Sequence, residues 1–257
     1  MSLRDNFLGG GIAAILSFID KDGFCMNILE NPTVATTTML LLELQKERNF
    51  KALDVRIGQF LEQVEQLVAT FFEQNPDDAR CACHSGCHWC CGFMTLVFPF
   101  EIVRIVEYLK GSLTIDQRTG LIQRLENLDK RTRNLSPKQR AKLKVFCPLL
   151  QDGVCIAYPV RPMSCRAYLS TDENACKRAF YYPSNDWVEA CVFVVRLYAG
   201  VKNGMEQGFA AFAIDSQPGE LISYLRQGFQ VADLSEDWLK GRRVFRAEQR
   251  SVSKRML

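Results

Sequence analysis

Apolar residues recur at helical spacing along most of this chain. Between Lys51 and Glu73 they fall at Leu53, Ile57, Phe60, Leu61, Val64, Leu67, Val68, Phe71 and Phe72. That pattern predicts an amphipathic helix of about six turns, stopped by Asn75-Pro76-Asp77-Asp78. A helix over 34–48 is expected before it, started by Asn31-Pro32-Thr33. A short β-branched run, Thr95 to Phe98, ends at Pro99, which opens a helix from Phe100 to Lys110 with Glu101 in its first turn. Thr114 to Arg131 reads as a polar helix carrying Leu121, Ile122, Leu125 and Leu128. Ser136-Pro137 caps a further short one.

Periodicity is lost between Cys147 and Cys176, where Pro148, Gly153, Pro159 and Pro162 fall. An unpatterned stretch of that length in a compact domain needs something other than regular structure to order it. After it a helix is expected over Asp186–Gly200, continuing toward Ala213 with a break near Gly204. A turn at Ser216–Gly219 and helices over 220–229 and 235–240 follow, then a basic, frayed tail from Arg242. The apolar run Phe7–Ile19 is too short for a bilayer span, which takes about 20 residues, and Asp5 argues against a signal peptide. It reads as a buried N-terminal helix.

The fold class that emerges is mainly α: an irregular helical domain with a cysteine-rich, metal-binding core and a long irregular loop segment. The organisation expected is an N-terminal helical extension over 1–80 and a cysteine-cluster domain with C-terminal helices over 81–257, packed as one unit. The chain has 257 residues, 47% of them hydrophobic, enough apolar mass for a sizeable core. Its net charge of +3 gives a weak overall field that neither requires nor excludes an anionic partner.

The chemistry concentrates in Cys83-His84-Ser85-Gly86-Cys87-His88-Trp89-Cys90-Cys91. If this segment is helical, Cys83, Cys87, Cys90 and Cys91 lie within about 100° of one another on one face. Cys147, Cys155, Cys165 and Cys176 are then able to close onto that face from the irregular segment. Thiolates favour zinc and iron–sulfur centres. The adjacent pair Cys90-Cys91 suits two metals or a polynuclear site better than a single ion. The eleven cysteines are odd in number and clustered, and such tight spacings would strain disulfides. A metal in a reducing cytoplasm is therefore the better reading.

Cys81 falls on the opposite side of that helix and is left out of the set. Cys25 and Cys191 sit in apolar surroundings as small hydrophobes. The two histidines, His84 and His88, lie at the edge of the cysteine stripe, as ligands or as hydrogen-bonding neighbours of thiolates. Arg161, Arg166, Lys177 and Arg178 either offset thiolate charge or belong to ordinary turns and surface. Tyr158 is read as a packing residue. The basic run Lys130–Lys144 is a solvated face without interleaved aromatics, so a nucleic-acid partner is not expected.

These residues resemble the YkgJ family, a zinc- or iron-chelating domain named for its CxxCxxCC motif. The likeness runs through Cys83-x3-Cys87-x2-Cys90-Cys91, Cys147-Pro148-Leu149-Leu150, Gly153-Val154-Cys155-Ile156-Ala157-Tyr158, Arg161-Pro162-x2-Cys165-Arg166 and Cys176, with Glu101 also fitting. It covers roughly residues 81–178, with a weaker echo at Trp238-Leu239-x-Gly241. The first spacing is three residues here, against two in the family's nickname. The resemblance implies metal chelation without a general activity. A similar pattern in flagellin lysine methylases, proposed to use an iron–sulfur cluster, makes an enzyme conceivable. Gly9-Gly10-Gly11 is a weak candidate for a cofactor loop.

The expectation is thus a cytoplasmic metal-binding protein of unassigned specific role, holding zinc or iron, with an iron–sulfur cluster among the options. Its ligands are Cys83, Cys87, Cys90, Cys91, Cys147, Cys155, Cys165 and Cys176. An iron–sulfur-dependent redox or protein-modifying enzyme, and a zinc-stapled nucleic-acid or protein interaction module, are the alternatives. Its expected partner is the metal ion; no membrane is expected, and no protein partner or substrate is named.

Overall fold

The computed structural model describes residues 17–19, 25–46, 48–76, 81–183 and 188–246. The fold is mainly α, with ten α-helices and three two-stranded antiparallel pairs among those residues. No helix among them is long and apolar enough to cross a membrane.

Helix α1 (Pro32–Lys46) starts where Asn31 accepts the Val34 N–H on its side chain. It lies against α8 (Val192–Ala211) along a seam of small residues, Gly200, Gly204 and Gly208, spaced one per turn. A Cβ at Gly204 would meet the Thr33 carbonyl and the Thr36 side chain, so the two backbones approach too closely for any side chain there. Thr33 and Thr37 donate their hydroxyls across the seam to the Gly200 and Gly204 carbonyls. The expected break near Gly204 does not occur: α8 is continuous, and its glycines make room for a neighbour rather than a bend.

Helix α2 (Phe50–Gln74) carries the predicted apolar stripe, with Asn49 capping its start. Helix α3 (Pro99–Ser112) is the central element, burying Phe100, Ile102, Val103, Ile105, Val106 and Leu109. Helices α4 (Ile115–Thr132) and α5 (Pro137–Lys142) both open on capping boxes, Thr114 with Gln117 and Ser136 with Gln139. Helix α9 (Leu221–Phe229) packs against α3 and α4, and α10 (Leu234–Leu239) buries Trp238 beside Phe209. One hydrophobic core draws on α1, α2, α3, α8, α9 and α10 together.

Several expectations are corrected. The cysteine-rich stretch is not a helix: residues 81–88 form a turning loop with Gly86 at positive φ, and only Trp89–Gly92 makes a 3-10 turn. The segment 147–176 is less irregular than its composition suggests. Leu150–Gln151 (β4) pairs with Val154–Cys155 (β5), Tyr158–Val160 is a 3-10 turn, Met163–Ala167 is helix α6, and Glu173–Tyr181 is helix α7, capped by Asp172. At the N-terminus, Ser17–Ile19 (β1) pairs with Cys25–Asn27 (β2) instead of ending a helix; the rest of the helix expected over Phe7–Ile19 lies outside the described residues.

Leu96–Val97 (β3) pairs with Gly219–Glu220 (β6). Phe245 is buried and stacks on Tyr224, so the tail is docked through Arg246; the remainder of the expected frayed tail lies outside the described residues. The part of the expected 186–200 helix that precedes residue 188 lies outside them too.

Candidate metal centre

Six pieces of chain carry the eight candidate cysteines to one region. The loop 81–88 brings Cys83 and Cys87, and the 3-10 turn brings Cys90 and Cys91. The loop before β4 brings Cys147, tied to the 3-10 turn by a 2.8 Å hydrogen bond from its backbone N–H to the Cys91 carbonyl. The β4–β5 hairpin supplies Cys155, α6 supplies Cys165, and α7 supplies the buried Cys176.

The thiols lie within electrostatic reach of one another in one connected set. The Cys90 thiol lies beside that of Cys91, and is felt by Cys87, Cys155, Cys165 and Cys176. Cys147 is felt with Cys155 and Cys165, and Cys83 with Cys87. Burial pushes the Cys165 thiol up to about 12, and the neighbouring thiols add to the shift. Cys83 is likewise raised to about 12, chiefly by burial. Cys147 is raised by burial, and Cys90 chiefly by its contact with Cys91. Thiols gathered this way resist ionising alone and need a cation to share their charge.

That cation is only partly provided by the protein. Of the two readings left open for Arg161, charge compensation is the one that fits its place: it favours the thiolates of Cys155 and Cys165. Arg166 does something else: it is buried and donates to Glu65 on α2 and to the Arg161 and Pro159 carbonyls. Arg161 shares Glu65 with it at 2.6 Å and lies over the ring of Tyr158, 4.0 Å away. Tyr158 is exposed rather than packed. Arg178 pairs with Asp172, and Lys177 lies over the Trp89 ring.

The structure adds residues that spacing did not reveal. Cys81 was set aside on helical geometry, and that geometry does not hold: its free thiol lies beside that of Cys83. Lys202, from α8, faces Cys165 and Glu101 and donates to Ser164 Oγ at 2.9 Å. The Tyr168 hydroxyl is raised by burial with Cys176, Cys90 and Cys83 nearby. The buried Glu101 accepts the Phe98 N–H at 2.8 Å and the Met163 N–H at 2.6 Å. It thereby pins the start of α6, which carries Cys165, onto the start of α3.

Among the described residues, one group of three or more histidine, cysteine and carboxylate donors draws together within 4.8 Å: His84, Cys87 and Glu173. The other histidine, His88, stacks on Trp89 and meets Phe146 edge-on. Around them Phe180 and Tyr181 complete an aromatic rim. Phe146 also lines an open cleft of about 550 Å³ that reaches Cys147; α4 contributes Gln123, Arg124, Asn127 and Arg131 to it. Cys191 packs partly buried against the core, and the Cys25 side chain lies outside the described residues.

Compared with protein-family models, with curated proteins and with solved structures, the chain finds no match.

Proposed function

We propose that this chain is a thiolate metal-binding protein whose cluster holds zinc or iron through Cys83, Cys87, Cys90, Cys91, Cys147, Cys155, Cys165 and Cys176. The observation that supports this reading most is the linked set of eight thiols, drawn from separate stretches and grouped about Cys90. The donor set fits a thiophilic metal: it is soft, half-buried, and larger in potential negative charge than Arg161 and Lys202 can offset. The resemblance to the YkgJ cysteine-cluster family supports the same reading, and membership of that family is part of the proposal.

The test is elemental analysis and visible absorption of protein purified without oxygen, for the wild type and Cys90→Ser. Stoichiometric zinc or iron in the wild type, with a clear fall in the variant, is the expected result. Wild-type protein free of both metals would sink the proposal.

A second reading, an iron–sulfur-dependent redox or protein-modifying enzyme, is favoured by the cleft that opens beside Cys147. It gives a small molecule or side chain a way to the edge of the thiol set. Iron with acid-labile sulfide supports it; colourless protein with stoichiometric zinc removes it.

A further inference from the structure

We infer that a second divalent-metal site lies at the mouth of the thiol cluster, made by His84 Nε2, Cys87 Sγ and a Glu173 carboxylate oxygen, with its remaining position open. The inference rests on the cluster reading only in that Cys87 is shared between the two sites.

Three observations carry it. The first is convergence: donor atoms from a loop and from the first turn of α7, 89 positions apart in sequence, meet within 4.8 Å. The second is how each donor is held. His84 donates its Nδ1–H to the Ser85 carbonyl at 2.9 Å, which turns Nε2 toward the site. A metal-binding imidazole characteristically gives its other ring N–H to such an acceptor. The Nε2 atom lies 3.0 Å from Glu173 Oε2, and Glu173 Oε1 accepts the Trp89 indole N–H at 3.2 Å. Cys87 is fixed by its own N–H to the His84 carbonyl, across the turn that Gly86 makes at positive φ. Both flanking ligands are thus oriented by groups that are not themselves donors to the site.

The third observation is exposure. The His84 side chain is 60% exposed and that of Glu173 40%. The half-buried thiols behind them are closer to the closed sulfur sites of structural metals. One nitrogen, one sulfur and one oxygen facing solvent match three-ligand sites that keep a place for water or substrate. His84 Nε2 and Glu173 Oε2 already face each other at 3.0 Å, and a divalent cation seated between them displaces to solvent any proton they share.

The preferred ion is zinc or a similar borderline metal, because the mixed donor set is too soft for magnesium or calcium. Lys177 faces Glu173 but is drawn over the Trp89 ring, leaving the carboxylate to His84 and the indole.

The test uses Co²⁺ alone as probe, added anaerobically to the metal-free full-length protein, read as bound equivalents and as visible d–d absorption. The double variant His84→Ala, Glu173→Gln is expected to lose one equivalent and the bands belonging to it, and to keep the rest. Cys90→Ser is expected to show the reverse, keeping that equivalent and losing cluster metal. Unchanged stoichiometry and spectrum in the double variant overturn the second site, whatever the cluster does. Wild type binding a single equivalent, abolished by the double variant and untouched by Cys90→Ser, upholds the second site and overturns the cluster reading. Both replaced side chains are solvent-exposed, and far-ultraviolet circular dichroism confirms that each variant is folded before metal is added.

Discussion

Glu101 shows how much a single buried carboxylate can hold. Both its oxygens accept backbone N–H groups, one capping α3 and one starting α6. A glutamine there must aim its NH₂ at one of those N–H groups, leaving a buried donor unsatisfied. Glu101→Gln is expected to destabilise the protein by about 1–3 kcal/mol and to lower metal content through displacement of Cys165. Denaturant midpoints and metal analysis check both; an unchanged midpoint would mean the carboxylate is not holding α6. Tyr224 sets a limit at the alkaline end. Burial, with Asp215 nearby, raises its hydroxyl from 10.0 to about 12, and it donates to the Gln217 carbonyl at 3.1 Å. A folded-state value above the unfolded one means this stability is complete below pH 10 and is lost as pH climbs toward 12. Melting temperature should fall across that window, and less steeply in Tyr224→Phe; equal slopes would refute the assignment. At this scale the sequence singled out the eight candidate cysteines and Glu101. Glu173, Lys202 and Tyr168 left no local signal, because each meets the site only through tertiary packing.

Among the elements, the amphipathic helices were legible because an apolar stripe of period 3.6 must face a core wherever it occurs. The cysteine stretch misled for the same reason. Its offsets mimic a helical face, but His84-Ser85-Gly86 turns the chain, and the thiols meet through loop geometry instead. Helix α7 was missed because it is short and polar, with Cys176 and Phe180 its only buried residues; Asp172, a good cap, was the signal available. Gly92 is legible only in hindsight: a Cβ there would run into the Phe180 ring that backs the 3-10 turn. The α1–α8 seam allows a signed comparison. Gly204→Ala gains about 1 kcal/mol of helix propensity but drives a methyl into the Thr33 carbonyl, an overpacking that costs about 1–3 kcal/mol or more. Net destabilisation is expected. Gly111→Ala, where a Cβ meets nothing within 4 Å, should be neutral or stabilising. Thermal melts of the pair decide whether close approach or propensity governs the seam.

Across the whole molecule, the cluster segments meet the helical core through Leu149, Ala157, Met163 and Ala167 and through a few polar ties: Glu65 with Arg161 and Arg166, Glu101 with α6, and Lys202 with Ser164. On the proposed metal-binding reading, stripping metal with a chelator under reducing conditions should loosen the cysteine-bearing turns of residues 147–176 while leaving the α1–α8 pair intact. Limited proteolysis with mass spectrometry should place new cuts in that stretch first. Cuts appearing equally in α1 and α8 would show that the metal holds the whole fold. The pairing of α1 with α8 also has a consequence for biosynthesis. The chain leaves the ribosome from its N-terminus, so α1 emerges about 160 residues before the helix that covers it. All eight candidate cysteines emerge in between. During translation the thiols are thus complete while α1 still exposes the face meant for α8, so metal is able to reach them before the scaffold has closed behind them.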